Sequence, residues 1–422
     1  MSPLASYRRL LRLAGPAYVA VAFLGRLPLA MSQLGTLLLV STATGSYGAG
    51  GLAAGALAVA NAVTSPLAGA LADRVGQRPV VLVQSLLGAA LLSLLVVLVG
   101  ADLPTPVLVA AAAAAGASLP QVGPLARVRW RPITDGSGVH QRRLVDAAFS
   151  YEGAADEASF ALGPALVGVG AVAVSPSGAL LLAAGLLAVF GTAFALHPTA
   201  RRSRASRLAA GVDRAAAARL LTGTVLVLGL AQLLVGMLFG SVQTGATVLA
   251  TSEGRPGLAG FVHGTLGVGS AVAGLMTAGL PQRIGHELRA WWAACLLLPL
   301  SVPLLLVDSL LPLTAVVLVL GCAVAPYMIA VFSLAERVVD PARVGAAMTL
   351  LASCTGIGYA LGSAVAGRLA DDHGHTAAFA VTVTACALAA LLTTAARRRL
   401  HDAVARADAA GRREPAPAGL AG

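Results

Sequence analysis

Long apolar stretches recur along the whole chain, divided by short clusters of arginine, acid, proline and glycine. A helix needs about 20 apolar residues to cross the hydrocarbon core of a bilayer. With the charged and helix-breaking residues as punctuation, the pattern predicts twelve spans: 14–40, 49–71, 79–100, 105–126, 147–173, 177–197, 220–245, 258–280, 290–307, 311–334, 346–367 and 376–396. Pro299 and Pro303 make the ninth the least regular. The predicted class is an all-α membrane protein of twelve transmembrane helices in two six-helix halves. The halves are residues 1–197 and 220–396, joined by a basic linker at 198–219 and followed by a polar tail at 397–422. The tail is expected to be disordered, because it holds too little apolar surface to offset the entropy of ordering it.

Composition agrees with this reading. Of 422 residues, 57% are hydrophobic and 11% charged, against about a quarter charged in soluble domains. The formal net charge is +11, which taken alone suggests nucleic acid as a partner. The distribution excludes it, because the cations lie in clusters between apolar spans rather than on one soluble face. Every basic residue other than histidine is arginine. The arginines crowd alternate loops: Arg8, Arg9 and Arg12, then Arg74 and Arg78, then 127–143, 201–219, 283–289, 337–343 and the tail. The opposite loops hold only Arg255 and Arg368, with Asp102, Glu253, Asp308, Asp371 and Asp372. Positive loops stay on the cytoplasmic side, so both termini are expected to be cytoplasmic. The arginines are expected to touch anionic lipid. The first apolar run is too long for a signal-peptide core and reads as a retained span.

Few motifs point to catalysis. No G-x-x-x-x-G-K-[ST] is present, so ATP is not expected as a partner. His373-x-His375 lacks further ligands at metal-site spacing, so no metal is expected. The four cysteines form no C-x-x-C pair and read as small packing residues. The spacings Gly51/Gly55, Gly236/Gly240, Gly260/Gly264 and Gly358/Gly362 read as close helix contacts.

The halves echo one another. Leu71-x-Asp73-Arg74-Val75-Gly76 recurs as Leu280-x-Gln282-Arg283-Ile284-Gly285, and A-L-G-P-A-L-V-G at 161–168 recurs as A-L-G-S-A-V-A-G at 360–367. The most informative string is G-A-L-A-D-R-V-G-Q-R, from Gly69 to Arg78, between the second and third spans. It resembles the G-x-L-a-D-R-x-G-r-R signature of the major facilitator superfamily at Gly69, Leu71, Ala72, Asp73, Arg74, Gly76 and Arg78. The resemblance covers residues 14–396 and points to the twelve-span proton-coupled drug and metabolite exporter branch, of an actinobacterial type in its Gly-, Ala- and Arg-rich composition. It implies duplicated halves that rock about a central cavity, a monomer in the plasma membrane, and no enzymatic activity. It also implies a conformational latch, in which Asp73 faces the positive N-terminal end of span 11 near Gly345 and Arg74 and Arg78 add contacts to acids and lipid. Gln282 in the second copy makes the latch one-sided.

Charges at membrane depth mark functional positions. Arg26 lies roughly 18 Å along span 1, and Glu157 roughly 15 Å along span 5. An ion pair of Arg26 with Asp156 or Glu157 is therefore expected. Neighbouring helical residues point about 100° apart, so one of the two acids serves the pair while the other faces elsewhere. Proton coupling through such an acid and a permanent pair that only fixes two spans are both open. No other cofactor is expected. Among uncharged groups, Gln33, Gln121, Gln232 and Tyr327 lie in spans 1, 4, 7 and 10, which line the cavity in the family, and His263 in span 8 is a further candidate. Gly163-Pro164 in span 5 resembles the core of an exporter motif and reads as a kink. Span 4 lacks the mid-membrane arginine usual in proton-coupled exporters, since Arg127 falls at its cytoplasmic end. The expected activity is proton-coupled efflux of a small, amphipathic compound by alternating access. The alternatives are an uptake permease for a small polar solute, a polytopic membrane enzyme and a transport-dead sensor.

Overall fold

The computed structural model describes residues 3–201, 220–255 and 258–411. Most of the expected linker, from 202 to 219, and the end of the tail, from 412 to 422, lie outside them. The described residues are helical almost throughout and contain no strand.

An amphipathic helix, Pro3–Ala14, precedes the first span. Span 1 is two helices, Pro16–Leu24 and Leu27–Thr44, broken at Gly25-Arg26. Span 2 is Tyr47–Val75 and span 3 is Gln77–Gly100. Span 4 is again two helices, Thr105–Ser118 and Val122–Ile133, and span 5 is the single helix Gln141–Ala173. Span 6 covers Pro176–Leu196. The second half runs through Gly223–Ser252, Ala259–Gly279, His286–Leu306 and Leu310–Val338 as spans 7 to 10. Spans 11 and 12 form one helical stretch, Val344–Gly411, interrupted only at Gly374 with φ +74°. That left-handed conformation suits glycine and turns the chain back across the membrane. Spans 5 and 12 begin earlier or end later than the apolar pattern indicated, and no loop separates spans 11 and 12. An even number of crossings places both chain ends on one face, called here the terminus face.

Most of the core lies within each half, and it crosses between them where Val128 and Phe149 join the second-half cluster and Ala278 joins the first. One cluster of buried residues runs from Leu228 through Leu313 to Leu400 in the second half, and smaller clusters centred on Tyr18, Leu92 and Met31 fill the first. The outer surface is apolar. On span 2, Leu52, Val59, Val63 and Leu67 are exposed at helical spacing, as a lipid-facing stripe should be. The internal echo has a structural counterpart. Gly163 of span 5 lies against Ala30 and Met31 of span 1, and Gly362 of span 11 lies against Met237 of span 7.

Two expectations need correction. The chain from 397 to 411 is helical, not disordered, because span 12 simply continues. Leu400 and Val404 bury themselves one turn apart, and the helix end ties itself to the core by ion pairs described below. Of the four glycine pairs, Gly236/Gly240 and Gly358/Gly362 face one another and bring the backbones of spans 7 and 11 together. Gly51, Gly55, Gly260 and Gly264 face open space.

Candidate transport site

The site begins with two broken helices. Pro28 lacks an N–H and favours the start of a new helix, and the chain passes through a tighter turn at Gly25-Arg26 inside span 1, where the Arg26 amide donates to the Phe23 carbonyl. In span 4, Leu119-Pro120-Gln121 interrupts the helix in the same way. Backbone carbonyls freed in hydrocarbon must be satisfied, and span 2 does this. Asn61 donates to the carbonyls of Gly116 and Leu119 at 3.0 and 2.9 Å, and Thr64 donates to Ala117 at 3.0 Å. Gln121 in turn donates to Asn61 Oδ1 at 2.8 Å. Asn61 and Gln121 are therefore helix-break partners.

The breaks bring Arg26 and Arg127 to the acids of span 5. Arg26 pairs with Glu152 through Nη2 and lies 3.3 Å from Asp156 Oδ1 through Nε. Arg127 pairs with Asp156 Oδ2 at 2.7 Å. Trp130 Nε1 donates to the other Glu152 oxygen at 2.5 Å. Two cations and two anions so balance, and Arg26, Arg127 and Glu152 are almost wholly buried. Gly123 leaves room for the cluster, since a Cβ there would meet both Asp156 and Arg26. The Arg127 guanidinium also stacks on Phe332 of span 10, 4.3 Å from the ring centroid. The cluster thereby touches the second half.

The expected Arg26–Asp156 pair is present, and Glu157 is not part of it. Glu157 points away, into the seam between span 5 and span 8, towards Ser270. It is 8% exposed, and no ion pair of Glu157 occurs among the described residues. Glu152 was missed by the sequence reading, although its i to i+4 spacing from Asp156 places both on one helix face. Arg127 was read as a boundary residue, yet its side chain is 2% exposed and serves as the buried arginine of span 4. Arg129 is equally buried, donating to Gln77, to the Phe194 carbonyl and to Thr199.

The uncharged candidates do not converge. Gln33 is exposed. Gln232 is fully buried and accepts from Thr355 at 3.4 Å, within the span 7–span 11 contact. Tyr327 is also fully buried, its hydroxyl without a partner. His263 lies edge-on to Phe239, with centroids 6.4 Å apart. Gly163-Pro164 does not interrupt span 5, which is one continuous helix; Gly163 is the point of contact with span 1.

The latch geometry is present. Asp73 Oδ1 accepts from the Gly345 amide at 3.2 Å and Oδ2 from the Ala346 amide at 2.8 Å, at the N-terminus of span 11. Gly69 faces Gly345, Ala346 and Thr349, where any side chain would collide with backbone. Gly76 takes φ +98° to turn the chain after span 2. Arg74 is exposed and Arg78 half-buried at the surface. Other ties cross the same face. Arg131 pairs with Glu336 at 3.2 Å, Asp146 with His286 at 3.0 Å, and Ser150 meets Thr277 at 2.6 Å. Asp408, on the helix continuing from span 12, lies 2.8 Å from Arg142 of the first half and 3.6 Å from Arg337 of the second. Arg131, Asp146, His286, Glu336, Arg337 and Asp408 line a cavity of about 320 Å³. Among the described residues, the hydrogen bonds and ion pairs that join the halves lie towards the terminus face. That face is closed.

Three findings place this architecture among known proteins. The human organic anion transporter MFSD10 (TETRAN) matches with a TM-score of 0.69 at 21% identity, covering 89% of this chain and 99% of its own. A bacterial homologue of the iron transporter ferroportin in its outward-facing state matches with a TM-score of 0.65 at 14% identity, covering 90% and 98%. The same homologue with soaked iron gives 0.64 at 16% identity, over the same shares. No curated protein matches the sequence. The Major Facilitator Superfamily model matches residues 18–339 and 230–420, and the chain therefore belongs to that superfamily and is a membrane transporter rather than an enzyme.

Proposed function

We propose that this protein is a secondary active transporter of the exporter branch, moving a small amphipathic compound out of the cell by alternating access in exchange for protons. The observation that carries the reading is Glu157, a buried carboxylate without a cation, set in the seam between the halves. A buried anion with no cation beside it is costly, so this carboxylate suits the carrying of a proton between the two sides. In contrast, the Arg26–Glu152–Asp156–Arg127 cluster is balanced and acts as a fixed joint between spans 1, 4 and 5. The arginine-rich terminus face is the cytoplasmic one by the charge rule, in the plasma membrane. The state described is then closed to the cytoplasm, with Asp73 on span 11 as its latch. The protein works as a monomer. The known neighbours include carriers of an organic anion and of iron, so the test panel spans both charges.

The test is uptake of cationic dyes and organic anions into inverted vesicles, with and without an acid interior, for wild type and Glu157→Gln. Wild type is expected to accumulate a compound when the gradient is imposed. The variant is expected to lose at least about tenfold of that stimulation, about 1.4 kcal/mol of coupling, while retaining substrate binding. Gradient-driven accumulation unchanged in the variant would remove Glu157 from the coupling step. Accumulation only in right-side-out vesicles would replace export with uptake.

A further inference from the structure

The helix Pro3–Ala14 has two faces with different tasks. Ser6, Leu10 and Ala14 are buried against the protein. Beside that face, Leu4 is 60% and Leu11 45% exposed, and they lie seven residues apart, two turns along one stripe. Arg8 and Arg12 border this stripe on the side away from the protein, with Arg9 beyond them, and none of the three makes an ion pair among the described residues. The helix contains no acid. One residue, Gly15, separates it from Pro16 at the start of span 1, so it is held at the level where the span leaves the bilayer. An apolar stripe bordered by free guanidinium groups at that depth matches the interfacial layer of a membrane: acyl chains below, anionic head groups above.

The same helix crosses the seam. The Tyr7 hydroxyl donates to the Leu275 carbonyl at 2.6 Å, and Leu275 belongs to span 8 of the second half. Burial pushes the Tyr7 phenol up to about 12, so it remains a donor throughout the physiological range.

We infer that Pro3–Ala14 is a lipid-reading clip: anionic phospholipid head groups bound by Arg8, Arg9 and Arg12 hold the helix in the surface plane, in the pose that lets Tyr7 tie the halves together. Anionic lipid thereby favours the state closed on the terminus face. The inference rests on the alternating-access reading above, and its test measures conformation without transport. Full-length protein is placed in nanodiscs of phosphatidylcholine alone or with about a third phosphatidylglycerol. Fluorophores introduced through unnatural amino acids replace Asp135 and Arg283, one exposed loop residue of each half, and single-molecule energy transfer reports the closed-to-open ratio.

The ratio is expected to rise about tenfold with phosphatidylglycerol in wild type, on the order of one to two head-group contacts. The triple variant Arg8→Gln, Arg9→Gln, Arg12→Gln is expected to show no lipid response while still visiting both states. Tyr7→Phe keeps the arginines and is expected to lose the response as well, which separates coupling from mere lipid attraction. An equal ratio in both bilayers for wild type, or a full response in the triple variant, overturns the inference. A single distance in every bilayer counts against alternating access itself, and the clip falls with it.

Discussion

Asp73 holds two amides of span 11 with its two oxygens, and the energy at stake follows from that count. A carboxylate accepting from backbone amides contributes about 1.5–3 kcal/mol. Asp73→Ala is therefore expected to shift the balance towards opening of the terminus face by about thirtyfold, or ~2 kcal/mol, read as a change in inter-half distance. Gly69→Ala should act in the same direction, because a methyl there meets the backbone of Gly345 and Ala346, whereas Gly51→Ala meets nothing and serves as control. The buried cluster obeys a different rule. Removing one partner strands a charge, so Asp156→Asn is expected to cost about 3–5 kcal/mol by leaving Arg127 unpaired. Arg127→Met combined with Asp156→Leu should restore most of the thermal midpoint, since paired removal leaves no orphan. At this scale the sequence was legible where a motif named the partner. Asp73 was placed opposite Gly345 correctly. Glu152 escaped because it stands only four residues from a more obvious pair of acids, and the choice between Asp156 and Glu157 stayed open because a linear string does not say which of two neighbours faces the arginine.

Elements were legible in number and position, since hydrocarbon demands long apolar helices wherever the chain crosses. What the apolar pattern could not express was continuity. Proline interrupts spans 1 and 4 without ending their apolar runs, so each read as one helix. Spans 11 and 12 meet directly at the left-handed Gly374, and span 12 and the chain beyond it, read as two pieces, are one helix as far as Gly411. Glycine spacing was ambiguous for a similar reason, as the four pairs look alike until a neighbour is known. Spans 7 and 11 resolve it, and they carry an expectation of their own. Gly358→Ala should destabilise by about 1–3 kcal/mol through forced separation of two backbones. Gly260→Ala should leave the thermal midpoint within experimental error.

For the whole molecule, two six-span halves were foreseen from the repeat, and their mutual placement was not. The ties across the terminus face are of two kinds, and salt distinguishes them. The Arg142–Asp408 pair is well exposed, with side chains 56% and 39% accessible, and such pairs contribute below about 1 kcal/mol. Asp408→Asn is accordingly expected to move the closed-to-open ratio by less than about fivefold, and about 0.5 M salt should reproduce the effect in wild type. The Asp73 contact with span 11 is half-buried and directed at amides, so the same salt should leave most of it intact. The same contact makes the molecule report on itself. While Asp73 is in place, the amide hydrogens of Gly345 and Ala346 are withheld from solvent, and each parting of the halves hands them to water. Their rate of exchange for deuterium, read in the peptide that contains them, is expected to rise with each opening of this face, with no fluorophore and no substrate required.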